Sequence, residues 1–349
     1  MFLKNTWYCA MWSPDLGDAP VAKTLLDTPV VLWREAGGAP VALEDRCCHR
    51  SLPLSLGKVI GHRMQCGYHG LEFDRTGACV RVPGQAHVPP GARVRSFPVV
   101  DRWNVIWIWM GDPAEADPAA IPALFWLKDP GWAAVRGTIP MKAHFQLLVD
   151  NLLDFTHVSY LHSRTISGDA AIESRIIGQA TREENAVRFD RWMLNIPPPP
   201  MFKAAGEFKG HVDRWQLARW TPPSTVVLDI GCADAGTGAP EGDRRRGISI
   251  WSTHLITPST ERATYYNWCY ARNFRLDDAA ATDLLQKGGH QTFTEDTEAI
   301  EIQQANLDRS AGAPLVDINI DNAPLQARRM YARLLEAERA TAGPARAAE

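Results

Sequence analysis

The sequence predicts an α+β protein in which an N-terminal all-β domain precedes a second domain of mixed strands and helices. Three observations carry that expectation. Up to about residue 115 short apolar runs alternate with turn signals; a proline-spaced stretch follows at 113–130; beyond it, stretches with helical apolar spacing alternate with strand-like runs. With 349 residues and 45% hydrophobic content, the chain can bury a substantial core in two or three compact units.

In the first domain, assigned to residues 1–115, PVVLW at 29–33, PVALED at 40–45 and NVIWIWMGDP at 104–113 read as strands of a small antiparallel β domain. Gly37-Gly38 and Thr76-Gly77 supply hairpin turns, because glycine accepts the positive φ such turns require. In the second domain, assigned to 116–342, residues 141–162 lack glycine and proline and read as one largely buried helix. STVVLDIGCA and the run 248–274 read as strands, and 278–309 and 322–341 as helices. Residues 343–349 are expected to form a flexible tail.

The formal net charge of -3 offers no basic field for nucleic acid or an acidic membrane surface. The start MFLKNTWYCAMWSPDL lacks the pattern of a secretory signal, and no segment has the roughly 18 consecutive apolar residues of a membrane span. A cytoplasmic protein acting on a small molecule is expected, with no nucleic-acid or membrane partner. No glycine-rich dinucleotide motif follows a strand, so NAD(P)H and flavin belong to a separate reductase.

Seven cysteines in a chain of this length point to metal ligation or buried thiols rather than a disulfide scaffold. Cys47-Cys48-His49 and, after a sixteen-residue gap, Cys66-Gly67-Tyr68-His69 supply two thiolates and two imidazoles from two loops. Two cysteines can hold one iron of a [2Fe–2S] cluster while two histidines hold the other. A structural Cys2His2 zinc site is the alternative, although zinc fingers usually segregate cysteines and histidines into separate knuckles. Cys9, Cys48, Cys79, Cys232 and Cys269 read as small buried hydrophobes.

A second constellation lies in Asn151–His162, where Asp154, His157 and His162 interrupt apolar sequence. Burying such groups is costly unless they are paired or bind metal. His157 and His162 are five apart, about 140° around an ideal helix, so both reach one ion only if the helix ends, bends or bulges between them. Two histidines and a carboxylate form the triad that leaves positions on Fe(II) open for O2. Asp296, near the stripe Phe293, Ile300 and Leu307, is the candidate carboxylate, while Glu295 and Glu298 drift to the polar side. An acid complementing the helix dipole is the other reading of Asp296.

The loops CCHRSLPLSLG and CGYHGLEFD resemble the cluster-binding loops of Rieske domains in ring-hydroxylating oxygenases. Cys48 departs from the proline usual there, a change in loop stiffness more than in ligation. KNTWY, DNLLDFTH, VDRWQLARWTPPS, ITPSTE, ARNFR, EDTEAIEIQQANL and NIDNAPLQARR extend the resemblance along the chain, to Rieske non-haem iron oxygenases of the vanillate O-demethylase type, relatives of the dicamba and toluenesulfonate monooxygenases. The resemblance implies a Rieske domain followed by a helix-grip catalytic domain of antiparallel sheet plus helices, assembled as a head-to-tail homotrimer. It makes Cys47, His49, Cys66 and His69 the [2Fe–2S] ligands and His157, His162 and Asp296 the ligands of a mononuclear Fe(II). Asp154 becomes the bridge for electrons between a neighbour's cluster and the local iron, and Asn151 a further residue shaping the iron site.

The implied partners are a flavin- and iron–sulfur-containing reductase or ferredoxin, O2 and a small aromatic substrate. The implied reaction is O-demethylation of a methoxylated aromatic such as vanillate, with release of formaldehyde. Aryl methyl or ring hydroxylation, or N-demethylation, are alternatives at the same iron, and an electron-transfer Rieske protein is the non-enzymatic one. For the substrate pocket the resemblance points to His254, which precedes ITPSTE, with Asp229, Trp251 and Asn267 as further strand residues. His254 is expected to hydrogen-bond a substrate carboxylate or phenol.

Overall fold

The computed structural model describes residues 1–163, 165–166 and 178–341. The chain forms two compact units, Met1–Ala123 with Thr257–Glu261, and Leu124–Ile256 with Arg262–Glu349.

The first unit is built from short strands: β1 (Trp7–Trp12), β2 (Val21–Leu25), β3 (Thr28–Arg34), β4 (Pro40–Glu44), β5 (Lys58–Ile60), β6 (Arg63–Gln65), β7 (Glu72–Phe73), β8 (Cys79–Arg81), β9 (Ser96–Phe97), β10 (Val99–Arg102) and β11 (Val105–Trp109). They make three sheets, ordered β1-β11-β10, β2-β3-β4-β9 and β5-β6-β7-β8. PVVLW, PVALED and NVIWIWMGDP supply β3, β4 and β11, and the glycines of both expected turns have positive φ (Gly37 110°, Gly38 89°, Gly77 78°). Val31, Trp33, Leu43, Leu54, Met64 and Phe73 form a buried core on which Cys47 and Cys66 sit.

The second unit centres on a seven-stranded sheet ordered β12-β18-β17-β16-β15-β14-β13. Its strands are β12 (Ala133–Met141), β13 (Gln179–Arg182), β14 (Val187–Ile196), β15 (Val212–Thr221), β16 (Thr225–Asp234), β17 (Ile248–Thr260) and β18 (Ala263–Arg272). The β12–β18, β13–β14, β14–β15, β15–β16 and β16–β17 pairs are antiparallel. The helices among the described residues are α1 (Phe145–Leu152), α2 (Val158–Leu161), α3 (Pro200–Ala205), α4 (Ala279–Arg309) and α5 (Asn322–Thr341). None of those described is long and apolar enough to cross a membrane.

Helix α4 starts where Asp278 accepts a hydrogen bond from Ala281 N at 3.0 Å, an N-cap that satisfies one of the orphan amides of the first turn. It closes tightly on β18 because residue 289 is glycine: a Cβ there would lie 2.9 Å from the Trp268 ring and 3.0 Å from Tyr270. The same packing turns Phe293, Asp296 and Ile300 inward.

The single helix expected over 141–162 is corrected. Met141 ends β12, His144 caps α1 by accepting from Gln146 N at 3.3 Å, and α1 stops at Leu152. Asp154 then takes the Thr156 amide at 2.7 Å and its hydroxyl at 2.6 Å on one carboxylate oxygen. An aspartate bonding the backbone two residues on is a turn former, and it outcompetes continued helix. His157 caps the start of the new turn, α2, and His162 caps its end, so the chain leaves one helix before His157 and ends the next between the two histidines.

Candidate functional site

Two loops of the first unit carry the same hydrogen-bond pattern. Cys47 N donates to Leu52 O (2.9 Å) and Ser51 N to Cys47 O (3.0 Å); Cys66 N donates to Leu71 O (2.8 Å) and Gly70 N to Cys66 O (3.1 Å). Each loop turns at a left-handed residue, Ser51 (φ 58°) or Gly70 (φ 73°). The fold thus presents C-x-H and C-x-x-H from paired knuckles. Cys47 and Cys66 are buried with their thiols in contact, and burial pushes the Cys47 thiol up to about 11. His49 and His69 are exposed, with ring centroids 4.6 Å apart. Thiols inside and imidazoles outside match a cluster with one iron in the core and one facing solvent. Of the other cysteines, Cys9, Cys79, Cys232 and Cys269 are buried as expected, whereas Cys48 is only half-buried.

In the second unit His157, His162 and Asp296 bring one ligand atom each to within 4.8 Å of one another. His162 Nε2 lies 3.0 Å and His157 Nε2 3.5 Å from Asp296 Oδ1. Asn151 Nδ2 donates to the same oxygen at 3.0 Å, tying α1 to α4. On its far side His162 Nδ1 meets Glu295 Oε2 at 2.8 Å, an oxygen that also accepts from Thr165 Oγ1 at 2.9 Å. Burial disfavours a charged His162, but the two carboxylates outweigh it and raise its pKa; burial lowers that of His157. His157 Nδ1 is buried without a hydrogen-bond partner, 4.0 Å from Asp154 Oδ2. Glu295, assigned from sequence to the polar side, instead bends back to the histidine; its position beside Asp296 was the available signal.

A cavity opens from this triad, lined by apolar groups that include Phe155, Val158, Met201, Phe202, Leu228 and Ile230. Its sheet wall obeys strand alternation. Arg214 and Gln216 of β15, Leu228 and Ile230 of β16, Ser252 and His254 of β17 face it. Asp229, Trp251 and Asn267, expected on that wall, are not among its lining residues: they have the other parity and fall on the opposite face. There Asp229 accepts from Trp215 Nε1 at 2.8 Å and pairs with Arg244, while Trp251 stacks on Trp126 with centroids 4.2 Å apart. Asn267 accepts from Thr138 Oγ1 at 2.8 Å and donates to Leu255 O at 3.1 Å. His254 does line the cavity, but both nitrogens are engaged, with Ser252 Oγ at 2.8 Å and Tyr266 OH at 2.7 Å. Burial drives its pKa down to about 3, so it is neutral.

Residues 6–98 match the Rieske [2Fe-2S] domain family, and 141–337 match the vanillate O-demethylase oxygenase C-terminal domain. The chain belongs to the Rieske non-haem iron oxygenases. It is 43% identical to a putative toluene-4-sulfonate monooxygenase system iron-sulfur subunit of Comamonas testosteroni, over 99% of this chain and all of that one. It is 35% identical to a vanillate O-demethylase oxygenase subunit of a Pseudomonas species, over 99% and 98%. A crystal structure of dicamba monooxygenase bound to 3,6-dichlorosalicylic acid superposes with a TM-score of 0.90 at 33% identity, covering 97% of this chain and 99% of that one.

Membership sets aside the zinc module and the electron carrier without a catalytic domain. A Rieske oxygenase carries a [2Fe–2S] cluster and a mononuclear non-haem iron, and both donor sets fit those groups. In such a centre Glu295 would fix the His162 ring and tautomer from outside the ligand set. Glu295→Ala is therefore expected to weaken iron binding about 10- to 100-fold with the cluster spectrum intact, as read by iron content after graded chelation. Unchanged iron retention would remove Glu295 from the site.

Proposed function

We propose that this Rieske oxygenase is the terminal component of a two-component system and O-demethylates a small methoxylated aromatic compound. The observation that carries the reading is the convergence of His157 Nε2, His162 Nε2 and Asp296 Oδ1 at the end of an apolar, aromatic-lined cavity. On this reading Cys47, His49, Cys66 and His69 hold the cluster. Bound at the triad, ferrous iron supplies O2 activation and insertion of one oxygen atom into a substrate C–H bond. The chain's own residues do the rest. Asn151 and Glu295 hold the ligand geometry, and Phe155, Phe202 and Phe293 pack the ring and keep water out.

Hydroxylating the methyl carbon of an aryl methyl ether gives a hemiacetal, which releases formaldehyde and leaves a phenol. The second oxygen atom of O2 leaves as water, with two electrons and two protons. The electrons come from NAD(P)H through a flavin- and iron–sulfur-containing reductase or ferredoxin. In a head-to-tail homotrimer, one protomer's cluster would face the next protomer's Asp154, which stands beside His157. The names of the relatives, which include vanillate and dicamba O-demethylases, favour this reaction over ring hydroxylation.

The test is turnover of vanillate, methoxybenzoates and aryl methyl controls with a competent reductase, NADH and 18O2. Phenol and formaldehyde in equal amounts are expected. An 18O-labelled alcohol or diol without formaldehyde would keep the oxygenase and overturn the demethylase.

A further inference from the structure

Four buried side chains of β17 and β18 form one hydrogen-bond chain. Tyr266 OH lies 2.7 Å from His254 Nδ1, and His254 Nε2 lies 2.8 Å from Ser252 Oγ. The Ser252 hydroxyl in turn bonds the Tyr270 oxygen. None of the four is more than 3% exposed. Ser252, His254 and Tyr270 line the cavity, whereas Tyr266 is not among its lining residues.

Counting protons gives this chain a direction. Burial keeps His254 neutral, so the imidazole has one N–H, each hydroxyl has one O–H, and four protons serve three links. One proton is left over at an end. Tyr266 has His254 as its one hydrogen-bond partner among the described residues, and it is fully buried away from the cavity. If its hydroxyl only accepted, its own proton would be buried unpaired, at the full desolvation cost of a polar group. Tyr266 therefore donates to Nδ1, His254 carries its proton on Nε2 and donates to Ser252, and Ser252 donates to Tyr270. The spare proton is on the Tyr270 hydroxyl, whose one hydrogen-bond partner among the described residues is the Ser252 that donates to it.

Packing places that donor beside the triad. The Tyr270 ring is held by Phe293, with centroids 5.2 Å apart, and by Gly289, where a Cβ would lie 3.0 Å from it. Phe293 and Asp296 stand three residues apart on α4 and share its inward face. Burial, and after it the Asp296 carboxylate, push the Tyr270 pKa up, so the phenol keeps its proton. The side chains that β17 and β18 offer the cavity, Ser252, His254 and Tyr270, are all neutral. A lone neutral donor does not offset the desolvation of an anion, whereas an uncharged oxygen needs only one such bond. When the methyl of an aryl methyl ether lies at the triad, the ether oxygen next to it is an acceptor of that kind. Resting on the demethylation proposed for the same cavity, we infer that Tyr270 donates its hydroxyl proton to this ether oxygen and so distinguishes a methoxy group from an alkyl group of the same shape. Tyr266, His254 and Ser252 are positioning residues that act through Tyr270 by fixing which way its proton points.

The experiment is calorimetric titration of the iron-loaded protein, without reductant, using 4-methoxybenzoate and 4-ethylbenzoate. The two probes share ring, carboxylate and shape, and differ by an ether oxygen in place of a methylene. Their affinity ratio therefore cancels general damage to the cavity. Tyr270→Phe is expected to shift that ratio about 3- to 10-fold towards the ethyl compound, the worth of one neutral hydrogen bond. Tyr266→Phe should shift it the same way by less, because His254 can then take either tautomer, although residue 266 does not line the cavity. A ratio that Tyr270→Phe leaves unchanged overturns the inference, as does a loss shared equally by both probes. A ratio that Tyr266→Phe leaves unchanged overturns the proton order, and it decides alone should Tyr270→Phe fail to fold. Demethylation with an unmoved ratio would keep the demethylase and sink this inference. A moved ratio without demethylation, under proven electron delivery, would leave the donor standing and sink the demethylase.

Discussion

Asp296→Ala is expected to cost the protein its mononuclear iron and, with it, substrate oxidation, while the cluster spectrum stays unchanged. The carboxylate is the point at which the site is tied together: His157, His162 and Asn151 all lie within 3.5 Å of Oδ1. On the proposed ligand set, removing it takes away the one anionic donor and leaves two imidazoles to hold a divalent ion. Loss of a residue that merely orients a ligand weakens metal binding about 10- to 100-fold, so loss of the ligand itself should exceed that. Cys47 and Cys66 belong to the other compact unit, so the iron-to-sulfide ratio should fall only by the mononuclear share. Asp296→Asn keeps the shape and separates lost ligation from lost folding. Full iron content and normal turnover in both variants would falsify the assignment.

Asp154→Asn is expected to slow multiple turnover about 10- to 100-fold while both metal sites remain filled. The geometry explains why this substitution discriminates. One carboxylate oxygen holds the turn through Thr156, and asparagine can accept the same two hydrogen bonds. The other oxygen lies 4.0 Å from the buried, unpartnered Nδ1 of His157, and there asparagine offers a donor where the imidazole N–H needs an acceptor. Fold and iron should survive, and the electron route should not. Rapid mixing of reduced protein with O2 and substrate, following cluster oxidation, measures that step. Oxidation at the wild-type rate would remove Asp154 from the route.

The candidate metal donors were legible where their motif is local. C-x-H and C-x-x-H mark the two candidate cluster loops, and each loop is closed by bonds within six residues. The strands at 29–33, 40–44 and 105–109 and the helices at 279–309 and 322–341 follow from apolar period and turn residues, again within a short window. The break at Asp154 was written in the sequence too. An aspartate two residues before Thr156 is a turn signal, but the apolar spacing on either side outweighed it.

The substrate wall was another matter. Whether Asp229 or Leu228 meets the cavity depends on which face of β16 is covered by α4 and which by the Trp126 and Trp251 stack. Alternation within a strand names two faces without saying which is which, and a choice of one parity moves every residue together. Asp229, Trp251 and Asn267 lie on three strands and each took the face away from the cavity, whereas His254, three residues from Trp251 on β17, faces it. His254 had the right parity, yet its bonds to Ser252 and Tyr266 join residues of different strands or rest on a rotamer that packing sets.

Residue types and their short-range order thus brought forward two candidate metal donor sets, one on two loops of the first unit and one at the caps of α2 and on α4. The packing of a long helix on one face of a seven-stranded sheet settled which side chains stand beside the triad. That packing turned Glu295 onto His162. Such choices are made by contacts between residues more than a hundred positions apart, and no local pattern carries them.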